Sequence, residues 1–117
     1  MMPKLEVETK EVQALINKIE ERGGEIAEMI ADEVAYTALM IESDAKKRCP
    51  VRTGRLRASI KAFTSKSPIS AIVGTNVEYA RDVEFGGKRR KAKPYLYPAY
   101  FYWIGKLKET LQNALGR

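Results

Sequence analysis

The sequence predicts an α+β fold in which N-terminal helices and a C-terminal helix pack on a small antiparallel β-sheet. Three observations carry this. Apolar residues recur at helical spacing up to Arg48, the spacing switches to alternation between Leu56 and Thr75, and helical spacing returns after Pro98. Helices placed before and after a run of strands are the pattern of an antiparallel sheet covered on one side. At 117 residues the chain reads as one domain spanning 1–117: helical over 9–48, β-rich over 53–85, a basic loop at 86–93 and a C-terminal helix at 98–115.

The first helix is predicted from Val12, Leu15, Ile16 and Ile19, with Thr9 placed as its N-cap. Gly23-Gly24 breaks it, because paired glycines combine poor helix propensity with backbone freedom. A second, longer helix runs from about Glu25 to Arg48 on the apolar stripe Ile26, Ile30, Val34, Ala38 and Ile41, flanked by Ala27, Ala31 and Ala35. Glu25, Glu28, Asp32 and Glu33 crowd its first turns and Lys46, Lys47 and Arg48 close it, in the sense the helix dipole favours. Pro50 ends it by disfavouring helical geometry at Cys49.

Leu56, Ala58, Ile60 and Ala62 then alternate with Arg57, Ser59 and Lys61, which predicts a half-buried strand. Ser65 to Pro68 reads as a turn, and Ile69 to Thr75 as the returning strand of a hairpin, rich in β-branched residues. Tyr79 and Val83 suggest a short helix within 77–85. Residues 86–93 form a flexible loop with five cations in eight residues. Pro94 to Tyr97 is expected to be extended. Pro98 is placed as the first residue of the last helix, whose inner face is Phe101, Ile104, Leu107, Leu111 and Leu115.

Composition narrows the chemistry. The chain has no His and one Cys, so Cys-His and Ser-His catalysis are excluded, and no internal disulfide is possible. The lone Cys49 fits a reducing compartment and reads as a small buried residue rather than a nucleophile. No apolar run approaches the ~20 residues of a membrane span. The first ten residues lack a signal peptide's apolar stretch, so the chain is expected to be cytosolic in the cell that makes it. The net charge of +6 conceals a division. Residues 1–44 hold eleven acids against four bases, and residues 45–117 hold seventeen bases against four acids. Such a split favours head-to-tail association of copies or partners of both signs; a mixed, solvated surface is the bland alternative.

Three blocks follow the helical half in fixed order: CPVRTGRLRASI (49–60), VGTNVEYARDVEFGG (73–87) and KPYLYPA (93–99). Together they resemble the family of small tail-completion or neck proteins of long-tailed bacteriophages. Its pattern is matched by Pro50, Val51, Thr53, Gly54, Leu56, Ser59 and Ile60, by Val73, Gly74, Thr75, Tyr79, Ala80, Val83, Glu84, Phe85 and Gly86, and by Pro94, Leu96, Pro98 and Ala99. Tyr95 stands where the family has Phe, and Gly87 where it has Thr. The resemblance implies a structural, non-enzymatic virion protein without cofactor or metal. It implies a ring of copies, six by the family's habit, that completes the tail or joins it to the head. Partners would be connector or adaptor proteins, tail-terminator or tail-tube proteins and DNA in the channel. The location would be the virion, after assembly in the host cytoplasm.

The candidate residues each admit a plainer reading. Thr53-Gly54 is a turn in which Gly54 takes a backbone geometry other residues resist. Glu84 is expected to pair with an Arg of its own or a neighbouring subunit, since Asp82, two residues away, would point elsewhere on a helix. Lys88, Arg89, Arg90, Lys91 and Lys93 form a solvated loop, a sequence-blind DNA contact, or a contact with the acidic helices of an adjacent copy. In the aromatic run from Tyr95 to Trp103, Tyr102 and either Tyr100 or Trp103 are expected to face outward as interface residues. A small, basic, non-specific nucleic-acid-binding protein is the alternative function. It lacks any known reader motif.

Overall fold

The computed structural model describes residues 4–52 and 54–116. The elements are β1 (Leu5–Glu8), a 3-10 turn (Thr9–Val12), α1 (Gln13–Arg22), α2 (Gly24–Arg48), α3 (Gly54–Ser59), β2 (Lys61–Lys66), β3 (Ile69–Thr75), α4 (Ala80–Phe85) and α5 (Leu96–Leu115). The strands form one antiparallel sheet in the order β1-β3-β2, with Leu5 opposite Thr75, and Lys61 and Glu6 both opposite Gly74. The class is the α+β one that the spacing predicts.

Strand periodicity decides which face of the sheet is covered. Leu5, Val7, Ala71 and Val73 point inward and are buried; α2 covers β3 and β2, while α5 packs alongside α2 and against β1. Val34, Ala38 and Ile41 of α2 meet Ala71 and Val73 of β3 and Tyr100 and Ile104 of α5 around a void of about 10 Å³, no larger than one water. The outer face carries Glu6, Glu8, Ile72, Lys61 and Phe63, and Phe63 is exposed. Helix carboxylates finish the strand ends. Glu20 Oε1 accepts the Ile69 N–H at 2.8 Å and Glu42 Oε1 accepts the Ala62 N–H at 2.7 Å.

Between α1 and α2 the chain turns on Gly23 and Gly24, at φ +63° and +73°, a region that L side chains rarely enter. Gly74 answers a steric demand instead. A Cβ there would lie 2.6 Å from the Leu5 carbonyl oxygen and 2.9 Å from Glu6 Cβ, so only glycine lets β1 approach β3 this closely.

Several expectations are corrected. Residues 54–59 form a helix rather than the start of a strand; Leu56 and Ile60, four apart, are both fully buried, whereas Ala58 is exposed. The β2 strand therefore begins only at Lys61. Gly54 has neither a left-handed φ nor a crowded Cβ position, so the backbone demand expected of it is absent. Thr53 lies outside the described residues. Thr9 does not cap α1: it is buried in the 3-10 turn, donating to Gln13 Oε1 at 3.0 Å and accepting from the Ala71 N–H at 3.4 Å. Ile26, predicted in the core stripe, is 49% exposed. The strand β1 is an addition, as the first eight residues carried no prediction.

Candidate interaction surface

The three sequence blocks fold onto one another. Block one meets block two where Ser59 Oγ and Thr75 Oγ1 share a 2.5 Å hydrogen bond, and where Arg55 holds Glu78 through two contacts of 2.6 and 3.1 Å. The same guanidinium stands 5.5 Å from the Tyr79 ring centre. Hydrogen bonding to Arg55 lowers the Glu78 carboxyl pKa and raises that of the guanidinium, although both groups face solvent.

Block two meets block three through Glu84, which is buried on α4. Its Oε1 accepts the Tyr95 N–H at 3.3 Å and the Leu96 N–H at 2.9 Å, and its Oε2 accepts the Tyr97 N–H at 3.3 Å. These are the amide of the N-cap residue Tyr95 and the first two amides of α5, which a helix leaves without internal acceptors. The next residue, Pro98, has no N–H to satisfy. One carboxylate and one proline thus complete the helix start, at the end whose dipole favours negative charge. This corrects two expectations. Glu84 caps a helix and, among the described residues, makes no ion pair with an Arg of its own chain. The last helix begins at Leu96, with Pro98 inside its first turn, so only Pro94 and Tyr95 precede it. Tyr95 reinforces the junction by donating its hydroxyl to the Ala80 carbonyl at 3.1 Å, and burial raises its phenol pKa.

The basic loop is a closed turn. Gly87 N–H donates to Arg90 O at 2.9 Å, Arg90 N–H returns to Gly87 O at 3.3 Å, and Lys93 N–H donates to Val83 O at 2.8 Å. Lys88 and Arg89 form its tip. All five cations are exposed, and among the described residues none has an ion-pair partner.

Beside its base lies an aromatic cluster. The Phe85 ring meets Tyr97 edge-on at 5.2 Å, Tyr97 meets Phe101 at 6.1 Å, and Arg81 sits 5.2 Å over Phe85. Phe85 and Phe101 are 47% and 57% exposed. The buried face of α5 keeps Ile104, Leu107 and Leu111 and is continued toward its start by Tyr100, Ala99 and Leu96. Tyr100 turns into the core and Phe101 turns out, the reverse of the prediction for Phe101 and of the outward option for Tyr100. Tyr102 is exposed as expected. Trp103 is half-buried, and its indole Nε1–H donates to Asp44 Oδ2 on α2 at 3.1 Å. Lys106 stands over both rings, 5.0 Å from the Tyr102 centre and 5.7 Å from that of Trp103. Sequence reasoning missed Arg81, Phe85 and Tyr97 as one surface, since only the α4–α5 junction brings them together.

Among the described residues no three His, Cys, Asp or Glu are grouped to hold a metal ion, and no helix is long and apolar enough to cross a membrane. What the geometry presents is a surface of exposed rings backed by cations, held on a clamped helix start. Residues 13–86 match the family model described as "Bacteriophage HK97-gp10, putative tail-component", and the chain belongs to that family. The protein is thus a phage tail component. The match takes in the first block and all of the second but Gly87, and ends before the basic tip. No curated protein and no solved structure matches the chain.

Proposed function

We propose that this tail component is a structural protein of the head–tail connector or tail terminus, assembled as a ring that completes the tail or joins it to the head. The observation that carries the reading is the Phe85–Tyr97–Phe101 cluster under Arg81, set beside the basic turn. Half-exposed aromatic rings with an adjacent guanidinium have the composition of interface hot spots. The surface is built by the same junction that the second and third sequence blocks form, so the motifs serve to present it. Neighbouring connector and tail-tube proteins are its partners, the role is structural rather than catalytic, and assembly takes place in the host cytoplasm before the chain enters the virion.

The test is particle assembly with Phe85→Ser/Phe101→Ser, two exposed positions whose loss spares the core. Tailed, infectious particles are expected to fall at least about tenfold, as loss of hot-spot contacts worth ~1.4 kcal/mol or more requires. An unchanged titre with normal tails refutes the assignment. The five exposed cations favour a second, compatible contact with DNA in the channel, sequence-blind and weakened by salt.

A further inference from the structure

The start of α2 and the end of α5 leave an open groove of about 540 Å³ between them. Ile26, Met29 and Ala114 line it, and Asp32 and Glu33 stand on its acidic side. Ile26 and Met29 are 49% and 64% exposed, although the helical pattern places Ile26 in line with the core. Glu25 and Glu28 extend the acidic surface on the same turns. Among the described residues only Asp32 of these four acids has an ion pair, with Lys66 at 3.5 Å, and both partners are well exposed. The groove is therefore largely apolar inside and acidic at its edge, with Glu25, Glu28 and Glu33 making no ion pair among the described residues. The Phe85 corner is its complement: an exposed ring, Arg81 and five unpaired cations.

The two surfaces cannot meet within one chain. They sit near opposite ends of α5, with Leu96 and Gln112 about 24 Å apart at 1.5 Å per residue. We infer that the α2–α5 groove of one copy receives the 86–93 turn and Phe85 of a second copy. This deepens the ring reading above and rests on it. Because the two faces differ, the contact is head-to-tail. Each copy that docks leaves a free groove at one end and a free turn at the other, which generates a closed ring or an open array. The −7 and +13 halves of the sequence then acquire a geometric meaning, as acceptor and donor faces of one repeating contact.

The experiment uses the full chain in sedimentation equilibrium, at low and at moderate salt. Wild type is expected to self-associate, with an association constant at least about tenfold lower at the higher salt. Arg89→Glu/Arg90→Glu/Lys91→Glu, which leaves the turn at a net −1, and, separately, Glu28→Lys/Asp32→Lys/Glu33→Lys, which leaves the four-acid rim at a net +2, are each expected to weaken association about 100-fold, since like charges then face each other. These positions are exposed, and circular dichroism checks that each variant is folded. An equimolar mixture of the two variants restores both contacts in alternation and is expected to associate as wild type does. Met29→Ser, which changes no charge, is expected to weaken wild-type association at least about fivefold.

A wild type that stays monomeric at about 1 mM in low salt overturns the proposal. So do reversals that leave association intact, or a mixture that fails to restore it. A turn that binds duplex DNA while self-association ignores both reversals assigns it to nucleic acid instead, and also overturns the proposal. The ring reading has its own readout. Absence of the wild-type chain from purified particles by mass spectrometry sinks that reading, whatever the solution result.

Discussion

Replacing Glu84 by Ala removes a single carboxylate, and the geometry sets what that costs. Two of the amides it accepts, Tyr95 and Leu96, belong to fully buried residues; the third, Tyr97, is half-buried. A buried donor left without an acceptor costs about 1–3 kcal/mol. Two such donors, a partly wetted third and the small void of the lost side chain give about 3–5 kcal/mol, reduced by ~0.5 kcal/mol for alanine's better helix propensity in α4. Against a typical domain stability of about 5–15 kcal/mol, that is a large fraction. Glu84→Gln keeps one oxygen but can set an amide N–H against the Tyr97 N–H, and is expected to cost about 1–2 kcal/mol. Urea unfolding followed by circular dichroism gives the free energies, and the fluorescence of Trp103 reports on α5 itself. Glu78→Ala is the control: also an acid from block two, but exposed and paired at the surface, it is expected to leave the urea midpoint nearly unchanged. If Glu84→Ala is no more destabilising than Glu78→Ala, the capping account of the α4–α5 junction is wrong.

Two further predictions concern the core. Gly74→Ala is expected to cost about 1–3 kcal/mol, because the new methyl meets backbone of β1 that must shift, and amide hydrogen exchange should show β1 losing protection first; unchanged exchange at Val7 refutes this. Burial pushes the Tyr100 phenol from 10.0 up to about 12 and raises Tyr95 as well. Both hydroxyls are then harder to ionise in the folded chain than in the unfolded one. Their contribution is intact below about pH 10, where unfolded tyrosine begins to ionise, and is lost as pH rises toward the folded values. Melting temperature should therefore fall above about pH 10, and Tyr100→Phe should reduce that fall; a flat profile to about pH 11.5 contradicts it.

The long elements and the short helix α4 were legible in the sequence, whereas β1 and α3 were not, for physical reasons visible at particular residues. α2 declared itself through Ile30, Val34, Ala38 and Ile41, all buried, and β3 through its β-branched run. At Leu56 to Ile60 both templates fit, since apolar residues two apart are also four apart; only the burial of Leu56 and Ile60 without Ala58 selects the helix. β1 is four residues long and held by pairing with β3 some 65 positions away, a contact no local pattern announces. The basic turn, Tyr102 and the importance of Glu84 were visible as residues. The role of Glu84 was not, because its partners are backbone amides eleven to thirteen positions further on, and amides have no signature in sequence. The same distance hid the start of α5 at Leu96.

The clamp at the base of the 86–93 turn has a consequence for how this region is free to change. Lys93 returns to Val83 by a backbone bond, and Glu84 grips the amides just beyond, so the chain is closed across the neck of the turn before its tip is reached. Lengthening a loop already closed at its base adds only ~0.6 kcal/mol of closure entropy per doubling. Peptides inserted between Lys88 and Arg89 should therefore leave the underlying architecture intact while altering whatever the tip touches. That makes the tip a place where specificity can diverge rapidly between related chains, and a practical site for an epitope or a label.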